Sequence, residues 1–142
     1  MGRFHEQVHG VYFDDLDPFG ILHNARYVLL FERTLGSFWM HMGLGRFNEA
    51  PDRFHFVRAN HVSYLAPVVG PQQVRVRAEI AKLGSSSLTF AFRLMPLDLD
   101  EDCAVGTRTV VRVDPTSRRP TPWSDDFRAA LRPWLPNEEG AS

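Results

Sequence analysis

Asp14, Asp15 and Asp17 fall within a span of four residues, followed by Pro18, Gly20, His23 and Asn24. A long apolar run, Tyr27 to Met42, comes next. A carboxylate held between a strand end and a helix start can serve as nucleophile or general base. The free N–H groups of the helix's first turn, with the positive end of its dipole, can hold a developing oxyanion. The functional reading is that Asp17 aims its carboxylate at such N–H groups. A purely structural reading stands beside this one, because Asp ahead of Pro and Gly satisfies local backbone N–H groups in a turn. His23 is either an acid/base or a loop histidine hydrogen bonded near the helix start. Asn24 is expected to cap the helix through its side-chain oxygen, so its chemical contribution would come through its backbone N–H. Tyr27, one turn into the helix, reads as core rather than catalytic.

Other chemistries find little support. Cys103 is the only cysteine and sits beside the acidic turn Asp98–Asp102 with no histidine near it in sequence. That makes a poor thiol nucleophile, precludes an internal disulfide and suits a reducing compartment. The six histidines show no ligand spacing of the His-Glu-x-x-His kind. His55 and His61 could share a strand face, but no metal site is expected. There is no Gly-x-Ser-x-Gly elbow, P-loop or dinucleotide fingerprint, so no cofactor is expected. Ser85-Ser86-Ser87 reads first as a turn.

The elements that must position Asp17 follow from periodicity. Val8–Phe13 is a β-branched and aromatic run, read as a first strand. The helix runs from Asn24 to His41 or Met42, with Gly43 as its stop. Its polar positions Arg26, Arg33, Ser37 and His41 form one narrow stripe, and nearly everything else is apolar, which predicts burial on most sides. Leu44–Arg53 reads as a loop and His55–Leu65 as a strand. Val74, Val76, Ala78 and Ile80 alternate with polar residues, as do Leu88, Phe90, Phe92 and Leu94 and then the run Ala104–Val113. Ser124 is placed to cap a short helix, Asp125–Leu131. The expected class is α+β, a five-stranded antiparallel sheet wrapped around one long central helix. An edge strand left open favours dimerisation by sheet extension.

At 142 residues the chain reads as a single domain, 1–135, with a flexible tail at 136–142. Its composition is that of an ordinary globular protein, and a formal charge of -1 supports neither a nucleic-acid nor a membrane-surface role. No secretory leader or membrane-length apolar run is visible, so a cytoplasmic protein is expected.

The stretch from Val11 through Asp15, Asp17, Gly20 and Asn24 to Tyr27 resembles the signature of the 4-hydroxybenzoyl-CoA thioesterase family of the hotdog fold. There an Asp-x-Asp-x-x-Gly stretch leads into an Asn-Ala-x-Tyr helix start. The element order is similar over about residues 6–115, and Val57–Pro67 looks like the family's second strand. The resemblance implies a sheet wrapped around the helix and dimers that associate into tetramers, with each active site crossing the dimer interface. It implies Asp17 as nucleophile or base on an acyl-CoA thioester, with the Asn24 backbone N–H polarising the thioester carbonyl. Gly20, His23, Tyr27 and Ser85–Ser87 would contact substrate. CoA or phosphopantetheine enters only as part of that substrate.

Two departures stand out. Many relatives carry His directly after the glycine, where this chain has Ile21. In the benzoyl-type branch the turn before the fourth strand is basic and binds CoA phosphates, whereas here it is Gly84-Ser85-Ser86-Ser87. Charge would then come from Lys82, Arg58 or a partner, or the thioester would belong to an acyl carrier protein. The expectation is therefore a thioester hydrolase. The alternatives are a carrier-protein thioesterase, a dehydratase of the same fold using His23 or His41, and a non-catalytic acyl-binding module. Phe19, Phe47, Phe54, Phe56 and Trp39 offer apolar surface for the acyl group.

Overall fold

The computed structural model describes residues 2–43 and 50–136; Phe47 and the expected tail from 137 onward lie outside the described residues. Five strands pair antiparallel: β1 (Phe4–Val11), β2 (His55–Tyr64), β3 (Gln72–Leu83), β4 (Ser87–Pro96) and β5 (Ala104–Arg112). Their spatial order is β1-β3-β4-β5-β2. Strict alternation makes β3 and β4 a hairpin with one buried face: Val76 pairs with Leu94, Ala78 with Phe92 and Ile80 with Phe90. All six side chains are at most 4% exposed. Each such aliphatic or aromatic side chain contributes about 1.5–3 kcal/mol by leaving water.

β2 does not follow a simple alternation. Val57 pairs with Val110 and Ala59 with Thr109, which leaves Arg58 as the extra residue of a bulge. Buried Ala104, Arg108 and Val110 mark the helix-facing side of β5. Their partners Tyr64, Asn60 and Val57 therefore face the helix too. After Tyr64 the chain crosses the sheet from the β2 edge to the β1 side, and this crossover, residues 65–71, borders the site described below.

The long helix α1 (Arg26–His41) ends at Met42, with Gly43 at φ 74° as the expected stop. Its buried residues, Tyr27, Leu30, Phe31, Thr34, Leu35, Phe38 and Trp39, recur at three- and four-residue spacing. Glu32, Arg33 and Gly36 are exposed, and Met40 is 76% exposed. The expectation of burial on most sides is thus corrected: the sheet of one chain covers one face of α1. The helix is also not alone, because α2 (Asp125–Leu131) packs beside it, as the Ser124 cap predicts. Ser124 Oγ accepts from Phe127 N–H at 3.2 Å. Phe38 meets Trp134 edge-on at 4.9 Å, and Trp39 lies 6.0 Å from Phe127. Gly106 on β5 is where Phe31 presses closest; a Cβ there would meet His61 O at 2.6 Å and the Phe31 ring at 2.8 Å.

β1 joins α1 through polar contacts that the sequence did not announce. Thr34 is fully buried and its hydroxyl donates to Leu30 O at 2.8 Å, so His9 Nε2–H donates to that hydroxyl, also at 2.8 Å. One turn on, His5 Nε2 sits 2.9 Å from Ser37 Oγ.

Candidate active site

Val11 ends β1, and a single 3₁₀ turn, Phe13–Asp15, redirects the chain. Asp15 holds that turn: its Oδ2 accepts from Tyr12 N–H at 2.9 Å, and Arg26 Nε lies 3.8 Å from its Oδ1. Asp14 is exposed and contributes its carbonyl, which accepts from Arg26 Nη2 at 3.1 Å. Both are structural neighbours of Asp17. A miniature hairpin follows, with Leu16 bridged to Leu22. Its tip is closed by Asp17 N–H to Ile21 O at 2.8 Å and by Gly20 N–H to Asp17 O at 3.0 Å. Gly20 sits at φ 77°, a conformation that disfavours a side chain.

The Asp17 carboxylate divides its two oxygens. Oδ1 accepts from Phe19 N–H at 2.8 Å and Ile21 N–H at 3.3 Å. Among the described residues Oδ2 has no hydrogen-bond donor. The structural and chemical readings of Asp17 thus fall on different atoms of one side chain. The hairpin is docked on the crossover, with Leu22 N–H donating to Val68 O at 2.8 Å and Gly70 N–H to Gly20 O at 3.2 Å.

Between the hairpin, the start of α1 and the crossover lies a pocket of about 350 Å³, lined by Asp17, Ile21, Leu22, Asn24, Tyr27, Tyr64, Leu65, Ala66 and Pro67. Asp17, Asn24 and Tyr27 come together as expected. Burial, with Cys103, Tyr64 and Asp17 nearby, pushes the Tyr27 hydroxyl up to about 12, so it stays protonated at neutral pH. Tyr64 had no local signal; it meets Tyr27 edge-on at 4.9 Å. Among the described residues the lining holds no basic side chain and no histidine.

Other expected site residues stand elsewhere. The helix's N-cap is Ala25, without a side-chain cap bond, which corrects the capping role given to Asn24. His23 caps instead: its Nδ1 accepts from Ala25 N–H at 3.1 Å, and its carbonyl accepts from Arg26 N–H at 2.9 Å. Gly20 and His23 do not line the pocket. Ser85–Ser87 form the β3–β4 turn, at the far end of the 12-residue β3. At ~3.3 Å per residue that is on the order of 35 Å along the strand. Within one chain they are not part of this pocket. Of the apolar candidates, Trp39 is core, Arg53 stacks on Phe54 at 4.3 Å, and Phe19 lies 86% exposed at the hairpin tip. They do not converge. The Cys103 thiol is buried, which with Glu101 and Asp102 pushes its proton affinity up and makes it a weaker nucleophile. Among the described residues no helix is long and apolar enough to cross a membrane.

The chain is 29% identical to the acyl-CoA thioester hydrolase YbgC of Escherichia coli O157:H7 over 113 residues, covering 78% of this chain and 82% of that protein. It is 26% identical to YsmA of Bacillus subtilis over 121 residues, 85% of this chain and 80% of that one. The solved PA2801 protein of Pseudomonas aeruginosa superposes with a TM-score of 0.79 at 29% identity, covering 89% and 97% of the two chains. The family model of the thioesterase-like superfamily matches residues 11–131. That span opens at the last residue of β1 and closes at the last of α2, taking in the hairpin, the crossover and every pocket residue, and it makes this chain a member of the thioesterase-like superfamily.

Proposed function

We propose that this chain is a thioester hydrolase acting on acyl-CoA, or on the phosphopantetheine thioester of a carrier protein, within one catalytic unit spanning residues 1–135. The observation that carries this is one pocket lined by Asp17, whose Oδ2 has no donor among the described residues, and by Asn24 and Tyr27 at the start of a 16-residue helix. Asp17 acts as general base or as nucleophile. As a base it takes a proton from water while the water oxygen adds to the thioester carbonyl; the C–S bond then breaks and the thiol leaves with a proton. As a nucleophile it displaces the thiolate, which takes a proton from water, to give an anhydride that is then hydrolysed to the acid and the free Asp17 carboxylate. In both courses the Asn24 N–H, which has no acceptor among the described residues, faces the carbonyl oxygen as charge develops. Superfamily membership and the name of the YbgC relative support this chemistry.

The lining of Ile21, Leu22, Leu65, Ala66 and Pro67 suits an apolar acyl group. With no cation among the described pocket residues, the CoA phosphates would meet charge elsewhere, such as Arg58 or Lys82, or a second protomer. A homodimer assembles through β2: this edge strand is exposed at eight of its ten positions, including Phe56 and Val57. Ser85–Ser87 would reach substrate only if a second protomer carried its turn to this pocket. A dehydratase is disfavoured, because His23 is spent on Ala25 and His41 stacks near His5 and Trp134 at the other end of α1.

Thiol release over short, long, branched and aromatic acyl-CoAs and an acyl-carrier thioester tests the proposal, with Asp17→Asn as control. Release from at least one class, lost in the variant, is expected. Wild-type turnover in Asp17→Asn would remove the role given to that residue.

A further inference from the structure

Two side chains from distant parts of the chain grip one peptide group beside the pocket. The carbonyl of Asn24 accepts from the Tyr64 hydroxyl at 3.0 Å, across 40 residues of sequence. The N–H of the same peptide group, that of Ala25, donates to His23 Nδ1 at 3.1 Å. A peptide unit is planar, so holding both polar ends fixes its plane. The preceding peptide is held as well, because His23 O accepts from Arg26 N–H at 2.9 Å. Both peptide planes flanking Asn24 are therefore fixed, and the Asn24 N–H is the polar group left without a partner among the described residues. Tyr64 is itself steadied by the edge of Tyr27.

We infer that His23 and Tyr64 are positioning residues that clamp the Asn24–Ala25 peptide and thereby aim the Asn24 N–H at the substrate carbonyl. This rests on the thioesterase reading of the site. Neither residue needs to touch substrate to act. The clamp explains how a helix without a side-chain cap bond at Ala25 keeps a defined first turn. It also gives His23 a role that is neither acid/base nor substrate contact. A preorganised donor helps the transition state more than the ground state, so its loss should appear in kcat rather than in KM.

Steady-state thiol release is measured for Tyr64→Phe, His23→Ala, His23→Asn, the double variant Tyr64→Phe/His23→Ala, and Asp17→Asn, each matched to wild type by thermal melting. Tyr64→Phe removes only the hydroxyl, and kcat should fall roughly three- to ten-fold, the span of one net hydrogen bond, with KM within about two-fold. His23→Ala should behave alike. His23→Asn should restore most of the rate, since an Asn oxygen can accept from the N–H two residues on. The double variant should lose less than the product of the two single losses, because both residues hold one group. By NMR, Ala25 N–H exchange should quicken in His23→Ala and recover in His23→Asn. The clamp is overturned, with the site reading intact, if Asp17→Asn stops turnover while Tyr64→Phe and His23→Ala keep kcat within about two-fold. It is also overturned if His23→Asn is as slow as His23→Ala. Undiminished turnover in Asp17→Asn overturns the thioesterase site and the clamp's function together.

Discussion

The hairpin around Asp17 and the turn Gly84–Ser87 are both short, glycine-containing connections, and both were candidates for substrate contact. They do opposite work. At the first, one carboxylate oxygen and one backbone N–H are left uncommitted beside an apolar pocket. At the second, the backbone carbonyls are spent on holding the C-terminal segment. Ser85 O accepts from Trp123 N–H at 2.9 Å, Ser86 O from Arg112 N–H at 2.8 Å and Ser87 O from Trp123 Nε1 at 3.0 Å. Gly84 O accepts from Arg128 Nη1 at 2.9 Å. Next door, the carboxylate of buried Asp52 accepts from both Ser124 N–H and Ser124 Oγ, at 2.9 and 2.6 Å. A polar turn is available for chemistry when its hydrogen-bonding groups are left over, and composition alone does not reveal which are left over.

Four measurements would break or sharpen that contrast. The largest effect belongs to the pocket end: Asp17→Asn should cut thiol release by about 10²–10⁴-fold, the usual contribution of a positioned base, with little change in melting temperature. At the other end the effects should reverse. Asp52→Ala strands the Ser124 cap and leaves Arg112, 3.6 Å away, without its partner. A stability loss of about 3 kcal/mol is expected by chemical denaturation, with kcat nearly unchanged. A marked fall in kcat there would mean that the two ends are coupled.

The third effect lies between the ends, in the β1–α1 contacts. Burial first, then His41, lowers the proton affinity of His5; burial first, then Arg33, lowers that of His9. Both start from 6.5 when unfolded, so below about that pH the unfolded chain binds more protons than the folded one. Stability should therefore be unaffected by these groups above pH 6.5 and should fall as the pH drops below it. Melting curves from pH 8 to 5 would show this, and His5→Gln with His9→Gln should flatten the slope. The smallest effect is expected from Ser85, Ser86 and Ser87 all changed to Ala. Their carbonyls remain, so stability should move by no more than about 0.5 kcal/mol and kcat/KM by less than about two-fold. A large rise in KM would instead show a second protomer bringing this turn to the pocket.

The parts of the molecule that were legible in sequence are those governed by local rules. β3 and β4 alternate without fault through their central pairs, so their buried face could be written down residue by residue. Ser124 capped α2 where expected, and Gly43 stopped α1 where expected. The place of Asp17 beside the helix start was legible from the turn residues around it, and the family signature, not spacing, singled it out among the three acids. What escaped was set by distance in the chain. Ala25 stands as N-cap in place of Asn24, and its own N–H takes the His23 ring as acceptor rather than a capping amide. Tyr64 reaches the site from 40 residues away, and no local pattern marks it. The extent of α1 burial was overread because apolar composition does not say which protein surface, this chain's or another's, provides the cover.

The bulge at Arg58 carries one last consequence. Counting twos along β2 from Val57, which faces the helix, would put Ser63 inward and turn Tyr64 away. One unpaired residue advances the phase, so that Tyr64 pairs with buried Ala104 and its hydroxyl arrives at the Asn24 carbonyl. The far end of the strand thus works like a vernier: a single-residue offset near its beginning decides, six positions later, whether the pocket has its tyrosine at all.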